Sequence, residues 1–297
     1  MDKNRILDEI IEQDNGFAIL REAQEHIRSD IENRLLSRMS RNVKDNEAMW
    51  NERDADAREI WNSQKDKTAI LVAAGPSLDD NIKELAERQK NTFVLACDHA
   101  LPALIRENLS VDFAVVLDCV AELRIPEDNT VGTLLADITA NYSFTRKWLG
   151  KRYWFWHFLG AEHIENVSLG GRLRWGILPG GSTGTALLPL AMGLGAKKFI
   201  FVGFDFSWRK NVHADEADET EGEFWTMGLG GHPVFTNPSF LTFKWWLEIQ
   251  AKRLKVENPD WRFINATEGG ILGRHTDKRE WMPEFEYMPL SVALKEE

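Results

Sequence analysis

The stretch Leu178-Pro179-Gly180-Gly181-Ser182-Thr183-Gly184-Thr185-Ala186-Leu187-Leu188-Pro189-Leu190-Ala191-Met192-Gly193-Leu194-Gly195-Ala196-Lys197-Lys198-Phe199-Ile200-Phe201-Val202-Gly203-Phe204-Asp205-Phe206-Ser207-Trp208 decides the fold. It reads as a glycine turn, a helix of small residues, a buried strand and a second glycine turn that carries an acid. Glycines let a backbone approach a ligand closely, and the free N–H groups of a helix start favour an anion. In open α/β sheets ligands sit beyond the carboxyl ends of the strands, where Asp205 is expected. The stretch therefore predicts half of a phosphate or nucleotide site. Its other half is expected at Ala73-Ala74-Gly75-Pro76-Ser77-Leu78, about a hundred residues upstream.

Upstream and downstream the same alternation recurs. Thr68–Ala73, Asn91–Ala96 and Asp112–Leu117 are short apolar runs, separated by helical patterns over Asp79–Gln89 and up to Asn108. Strands alternating with helices of this length argue βαβ units and a parallel sheet. Right-handed crossovers then bring Gly75, Asp98 and Asp118 to one rim. Further strands are expected at Leu134–Ile138, Tyr153–Phe158, Lys198–Gly203 and Arg262–Asn265, and a helix at Pro238–Leu254. Asn265-Ala266-Thr267-Glu268-Gly269-Gly270 repeats the strand-to-glycine-loop pattern. The expected organisation is a helical hairpin and connector over residues 1–66, then one α/β domain over 67–297. Residues 209–237, acidic and glycine-rich without periodicity, read as a loop insertion over the rim. The N-terminal helices suit packing on their own domain or on a second subunit, so a homo-oligomer formed through them is an expectation.

Composition bounds the partners. A net charge of −11 over 297 residues argues against a nucleic-acid-coating surface. Cys97 and Cys119 are too few for a disulfide framework or a four-cysteine zinc site, and read as reduced core residues. Met1-Asp2-Lys3-Asn4-Arg5 lacks the apolar run of a secretory signal, and no run approaches the ~18 apolar residues of a transmembrane helix. A soluble cytoplasmic protein without membrane contact is the expectation. Twelve tryptophans are many for this length. Their faces suit a sugar, base or pterin ring, although buried tryptophans mostly fill cores.

The candidate chemistry gathers on the rim. Gly75, Pro76, Ser77 and Leu78, with Gly180, Gly181, Ser182, Thr183 and Thr267, are candidates for holding a nucleotide phosphate. Gly75-Pro76-Ser77-Leu78 alone is equally a tight strand-to-helix turn with Ser77 as cap. Neither a Walker loop nor the Gly-x-Gly-x-x-Gly fingerprint occurs there. Asp98, Asp118 and Asp205 each end an expected strand; such carboxylates bind ribose hydroxyls, hold Mg²⁺ against a pyrophosphate, or act as a general base. His213, behind Asp205, is a candidate acid/base. The seven histidines are scattered without metal-ligand spacing.

A family resemblance rests on this ordered series. Ala74-Gly75-Pro76-Ser77-Leu78, Leu117-Asp118, Gly180-Gly181-Ser182-Thr183-Gly184-Thr185-Ala186 and Leu194-Gly195-Ala196-Lys197-Lys198 are its first members. Val202-Gly203-Phe204-Asp205 with His213-Ala214, and Ala266-Thr267-Glu268-Gly269-Gly270, complete it. From about Asn42 to Leu272 the chain resembles the MptE-type 6-hydroxymethylpterin diphosphokinases and the central domain of the motility-associated factors (Maf), flagellin glycosyltransferases. The resemblance implies a Rossmann-like, sialyltransferase-like α/β domain that transfers a group from a nucleotide-activated donor.

Its two branches imply different chemistry. A Maf-like glycosyltransferase would use a CMP-sugar or other nucleotide sugar and a protein or small-molecule acceptor. Asp118, Asp205 or His213 would then deprotonate the acceptor hydroxyl, and with a CMP-sugar, whose leaving group is a single phosphate, a metal would be dispensable. A diphosphokinase would use ATP, with Asp118 and Asp205 holding Mg²⁺ and tryptophans stacking the pterin. The glycosyltransferase is the reading preferred, the diphosphokinase the alternative. A nucleotide-binding scaffold without catalysis is the third.

Overall fold

The computed structural model describes residues 35–122, 124–126, 132–157, 176–209, 224–274 and 281–296. Helix α1 (Leu36–Ala48) leads into a three-residue strand β1 (Asp54–Asp56). Then come β2 (Thr68–Val72), a short helix α2 (Leu78–Asn81), β3 (Thr92–Cys97), α3 (Leu101–Arg106), β4 (Phe113–Val116), β5 (Thr133–Asp137), α4 (Tyr142–Thr145), β6 (Arg152–His157) and β7 (Gly176–Ile177). The remainder is α5 (Thr183–Gly193), β8 (Lys198–Val202), β9 (Phe224–Met227), β10 (Pro233–Thr236), α6 (Pro238–Glu257), β11 (Arg262–Asn265), β12 (Phe285–Tyr287) and α7 (Leu290–Ala293).

Ten strands form one sheet in the order β1-β6-β5-β4-β3-β2-β8-β11-β12, with β7 beside the end of β6. Every neighbouring pair in it is parallel. The α/β expectation is met, with helices on both faces. Parallel strands covered on both sides read as continuous apolar runs, and β2, Thr-Ala-Ile-Leu-Val, is buried at every position. Alternate residues feed two cores. Ile70, Val72, Val94, Val116 and Ile200 pack against Leu78, Leu101, Phe144 and Leu290 on one face. Leu71, Phe93, Val115, Phe199 and Phe201 pack against α5 and α6 through Leu187, Leu190, Leu247 and Ala251 on the other.

The chain runs outward from β2 through β3, β4, β5 and β6, then returns to lay β8 on the opposite side of β2. The strand order therefore reverses between β2 and β8, and the region beyond their carboxyl ends is where open α/β sheets take a ligand in a crevice.

Several details depart from the sequence reading. The helix expected over Asp79–Gln89 is one α-turn, α2, continued as a 3-10 turn over Ile82–Glu87. The sheet takes in Asp54–Asp56, upstream of residue 67. Arg152 and the Trp154 indole hold that edge by donating to the Asp54 carboxylate at 2.7–2.8 Å. Burial pushes Asp54 up, yet these hydrogen bonds prevail and leave its pKa below the ordinary value. Within the stretch read as an irregular insertion, residues 224–236 form the antiparallel hairpin β9–β10. The hairpin is tied down where Trp208 and Phe235 exchange backbone hydrogen bonds and Leu229 N donates to Gly270 O. The weakly patterned tail after Arg274 holds β12 and α7. Cys97 and Cys119 are free and buried, as expected. The hairpin expected before α1 lies outside the described residues. Among the described residues no helix is long and apolar enough to cross a membrane.

Candidate functional site

Three glycine-bearing loops meet at the crevice between β2 and β8. Gly75 N donates to Gly203 O at 2.8 Å and Ala73 N to Val202 O at 2.9 Å, so the loops leaving the two strands are zipped together. Gly203 has φ +70°, which only glycine adopts without strain. A Cβ on Gly75 would overlap the Asp205 carboxylate. On the third loop, Gly269 comes so close that a Cβ there would stand 2.9 Å from the Ser77 Cβ and 3.0 Å from Asp205 Oδ1.

Asp205 is the buckle of this assembly. Its Oδ2 accepts from Ser77 Oγ at 2.6 Å and from Ser77 N at 3.3 Å, and its backbone carbonyl accepts from Ile271 N at 2.9 Å. It is 2% exposed, and Ser77 is 1% exposed. Burial pushes the Asp205 carboxyl up to about 6, against the pull of the two Ser77 hydrogen bonds. Thr267, fully buried, accepts from Phe204 N at 3.2 Å and so binds the third loop to the second. Leu78 is buried as well, and its N–H closes the turn on Gly75 O.

A more open tier lies above this buckle. Ala74 and Gly181 are exposed, and Ala73, Gly75, Pro76, Gly180, Ser182, Thr183 and Gly184 are half-buried. Helix α5 begins in this tier. Gly184 is in reach of Ala73 and Phe204, which puts the helix start over the crevice itself. Ser182 and Thr185 form a reciprocal capping box: Ser182 Oγ accepts from Thr185 N, and Thr185 Oγ1 accepts from Ser182 N. Gly180 and Gly181 are dictated by packing: a Cβ on the first would collide with the Trp246 indole, and one on the second would stand 2.8 Å from the Phe243 ring. Positive charge from the α5 dipole gathers at this start, and an anion is the group it suits.

The structure thus divides the sequence-predicted residues. Gly75, Pro76, Gly180, Gly181, Ser182 and Thr183 share the open tier. Ser77, Leu78, Asp205 and Thr267 lie beneath it and hold the loops in place. Asp98 and Asp118 stand farther along the same rim, after β3 and β4. Asp118 is half-buried, and its Oδ1 accepts from Val120 N at 2.8 Å, capping its own turn. His213 lies outside the described residues.

Four polar residues at this rim escaped the sequence reading. Asp137 ends β5 and its Oδ2 meets His157 Nδ1, at the end of β6, at 2.7 Å. Asn42 and Asn46, one turn apart on α1, clip the neighbouring loops: Asn42 Nδ2 donates to Cys119 O and Thr139 O, Asn46 Nδ2 to Ile138 O and Ala140 O, all at 2.9–3.0 Å. The one available signal was spacing, since Asn42 and Asn46 lie at i and i+4 just before the first strand.

A family model for the 6-hydroxymethylpterin diphosphokinase MptE-like proteins matches residues 39–211, from α1 through the first two glycine loops and the start of α5, and stops short of the third loop. The chain belongs to the MptE-like family. An uncharacterized protein of Treponema pallidum (strain Nichols) is 32% identical to it over 160 residues, which are 50% of this chain and 27% of that protein. A solved structure, the Maf glycosyltransferase from Magnetospirillum magneticum AMB-1, superposes with a TM-score of 0.61 at 16% identity, covering 86% of this chain and 38% of that one. This MptE-like chain therefore spans about a quarter of the curated relative and under two-fifths of the solved one. At that identity the Maf likeness establishes the fold, and with the family match it meets the resemblance read from the motifs.

Proposed function

We propose that this chain is a transferase that binds a nucleotide-activated donor in the β2–β8 crevice. The preferred reading is Maf-like transfer of a sugar from a CMP-sugar or other nucleotide sugar to an acceptor hydroxyl. One observation carries it: the start of α5 stands against the two zipped glycine loops at the point where the strand order reverses. The backbone N–H groups of Thr183 and Gly184 suit a donor phosphate there, with Gly75 and Pro76 as the opposite wall. Asp205, Ser77 and Thr267 position that wall from below rather than touch the donor.

The family description favours a second reading, the ATP-dependent 6-hydroxymethylpterin diphosphokinase. That chemistry calls for Mg²⁺, and the two carboxylates expected to hold it stand differently: Asp205 is buried, Asp118 half-buried. Asp205 is sealed against Ser77 and Asp118 caps its own turn. No group of three His, Cys, Asp or Glu among the described residues could hold a metal ion.

Thermal shift against CMP, UDP, ATP and their sugar conjugates, in EDTA and in Mg²⁺, tests the reading. At a hundredfold excess over Kd a bound ligand adds about 2.7 kcal/mol, which raises Tm by roughly 5 °C. A CMP-selective shift in EDTA is expected. An ATP shift that requires Mg²⁺ would move the assignment to the diphosphokinase, and no shift with any nucleotide would overturn both.

A further inference from the structure

Two Asp–His pairs stand on the carboxyl rim, and they differ in access. In the first, Asp137 Oδ1 accepts from Thr139 N at 2.8 Å and Thr139 Oγ1 at 2.6 Å, while Oδ2 meets His157 Nδ1. The His157 side chain is 3% exposed, so this pair is closed. The second pair is open. Asp98 follows β3 directly; its side chain is 3% exposed, and Oδ2 meets His99 Nδ1 at 3.1 Å. Its Oδ1 is buried without a hydrogen-bond partner. The His99 side chain is 49% exposed.

A buried carboxylate with one oxygen unmet is costly unless a charge balances it. His99 is the group placed to do so. With Nδ1 committed to Asp98, the working nitrogen is Nε2, on the far side of a half-exposed ring. The pair also abuts the crevice. β3 borders β2 in register, Val72 beside Ala96, so the His99 turn that follows β3 lies next to the Gly75 loop that follows β2.

We propose that His99, oriented by Asp98, is the proton acceptor for the acceptor hydroxyl in this transfer reaction. The proposal rests on the nucleotide-donor reading. His99 Nε2 takes the hydroxyl proton as the acceptor oxygen bonds to the anomeric carbon of the donor sugar. The bond from that carbon to the phosphate oxygen breaks, and its electron pair leaves on the nucleotide phosphate. The imidazolium so formed lies beside the Asp98 carboxylate, which stabilises it as it develops. The charged groups acting on His99 are Asp98, Asp118 and Arg124. Asp98 contributes most and holds the imidazole above the ordinary histidine value, burial and Arg124 oppose it, and Asp118 assists.

Imidazole ¹H–¹⁵N spectra of the full chain test this without turnover, with His99→Gln supplying the assignment. CMP, UDP and ATP–Mg²⁺ are the probes, and calorimetry reports binding independently. His99 is expected as the Nδ1–H tautomer when neutral, with its ring signals moving on saturation by the nucleotide that binds. In Asp98→Asn its pKa should fall. Binding that leaves the His99 signals unmoved, or an Asp98→Asn chain in which His99 titrates unchanged, overturns the proposal while the donor reading stands. Binding by none of the three removes the donor reading and the proposal together. With the donor that binds, His99→Gln should lower kcat by about 10²–10⁴-fold with little change in KM. The wild-type rate should rise with pH through the raised His99 pKa, a limb that Asp98→Asn moves to lower pH. Full turnover by His99→Gln overturns the assignment.

Discussion

Asp205 shows how one side chain can be read correctly by position and differently by role. Its place after β8 was visible as the acid that ends an apolar run. That its carboxylate turns inward could not be read, because the turn depends on Gly75, Ser77 and Gly269, which come from two other loops. The burial has a measurable signature. The ordinary Asp value is 3.8 and the folded one about 6, so the folded state holds this proton more tightly than the unfolded chain. Stability from this group is then fully present below 3.8 and is lost as pH rises through about 6. Asp205→Asn removes the charge while an amide oxygen can still accept from Ser77. It should stabilise the protein at pH 8 by up to about 3 kcal/mol, from roughly two pKa units at 1.36 kcal/mol each, with no gain left at pH 4. Thermal melts at pH 4, 6 and 8 check this. A variant that melts lower than wild type at pH 8 would mean that the carboxylate charge is needed.

Among the elements, α1 was legible as a helix and its task was not. Its two asparagines reach four backbone carbonyls, and Asn46 Oδ1 also accepts from Thr145 Oγ1 at 2.6 Å. Polar residues on a helix flank read as solvent-facing until the loops they hold are known. Asn46→Ala would strand the Ile138 and Ala140 carbonyls and should cost about 2–6 kcal/mol, counting 1–3 kcal/mol for each buried group left unmet. A urea midpoint within error of wild type would show that water or a shift of α1 replaces the amide. Strand β1 was hidden for a similar reason. Asp54-Ala55-Asp56 has no apolar alternation, and its pairing comes from Arg152 and Trp154 almost a hundred residues away. The long apolar runs, by contrast, announced β2, β3, β4 and β8 because strands buried on both faces need no partner to be recognised.

At the scale of the molecule, the sheet is deepest at its middle and thin at its margins. Ala69–Val72 and Phe199–Val202 lie between two neighbours and two helical layers, whereas Asp54–Asp56 and Phe285–Tyr287 are three-residue edges. Native-state hydrogen exchange should therefore find the middle amides opening only with global unfolding, and the edge amides opening locally. Equal protection at centre and edge would contradict the layered architecture. The alternating pattern carried the sheet and its rim in the sequence. The reversal of strand order, which makes the crevice, needs the pairing of β2 with β8 and is invisible to any local window.

That reversal also has a consequence for how the protein is made. On the ribosome β2 emerges early and finds β3 at once, but its other edge has no partner until residues 198–202 are synthesised. For all that time a strand that the folded protein buries at every position offers an open flank, the kind of edge that pairs with other chains. Nascent or prematurely ended chains that stop before β8 are thus the forms of this protein most in need of chaperones.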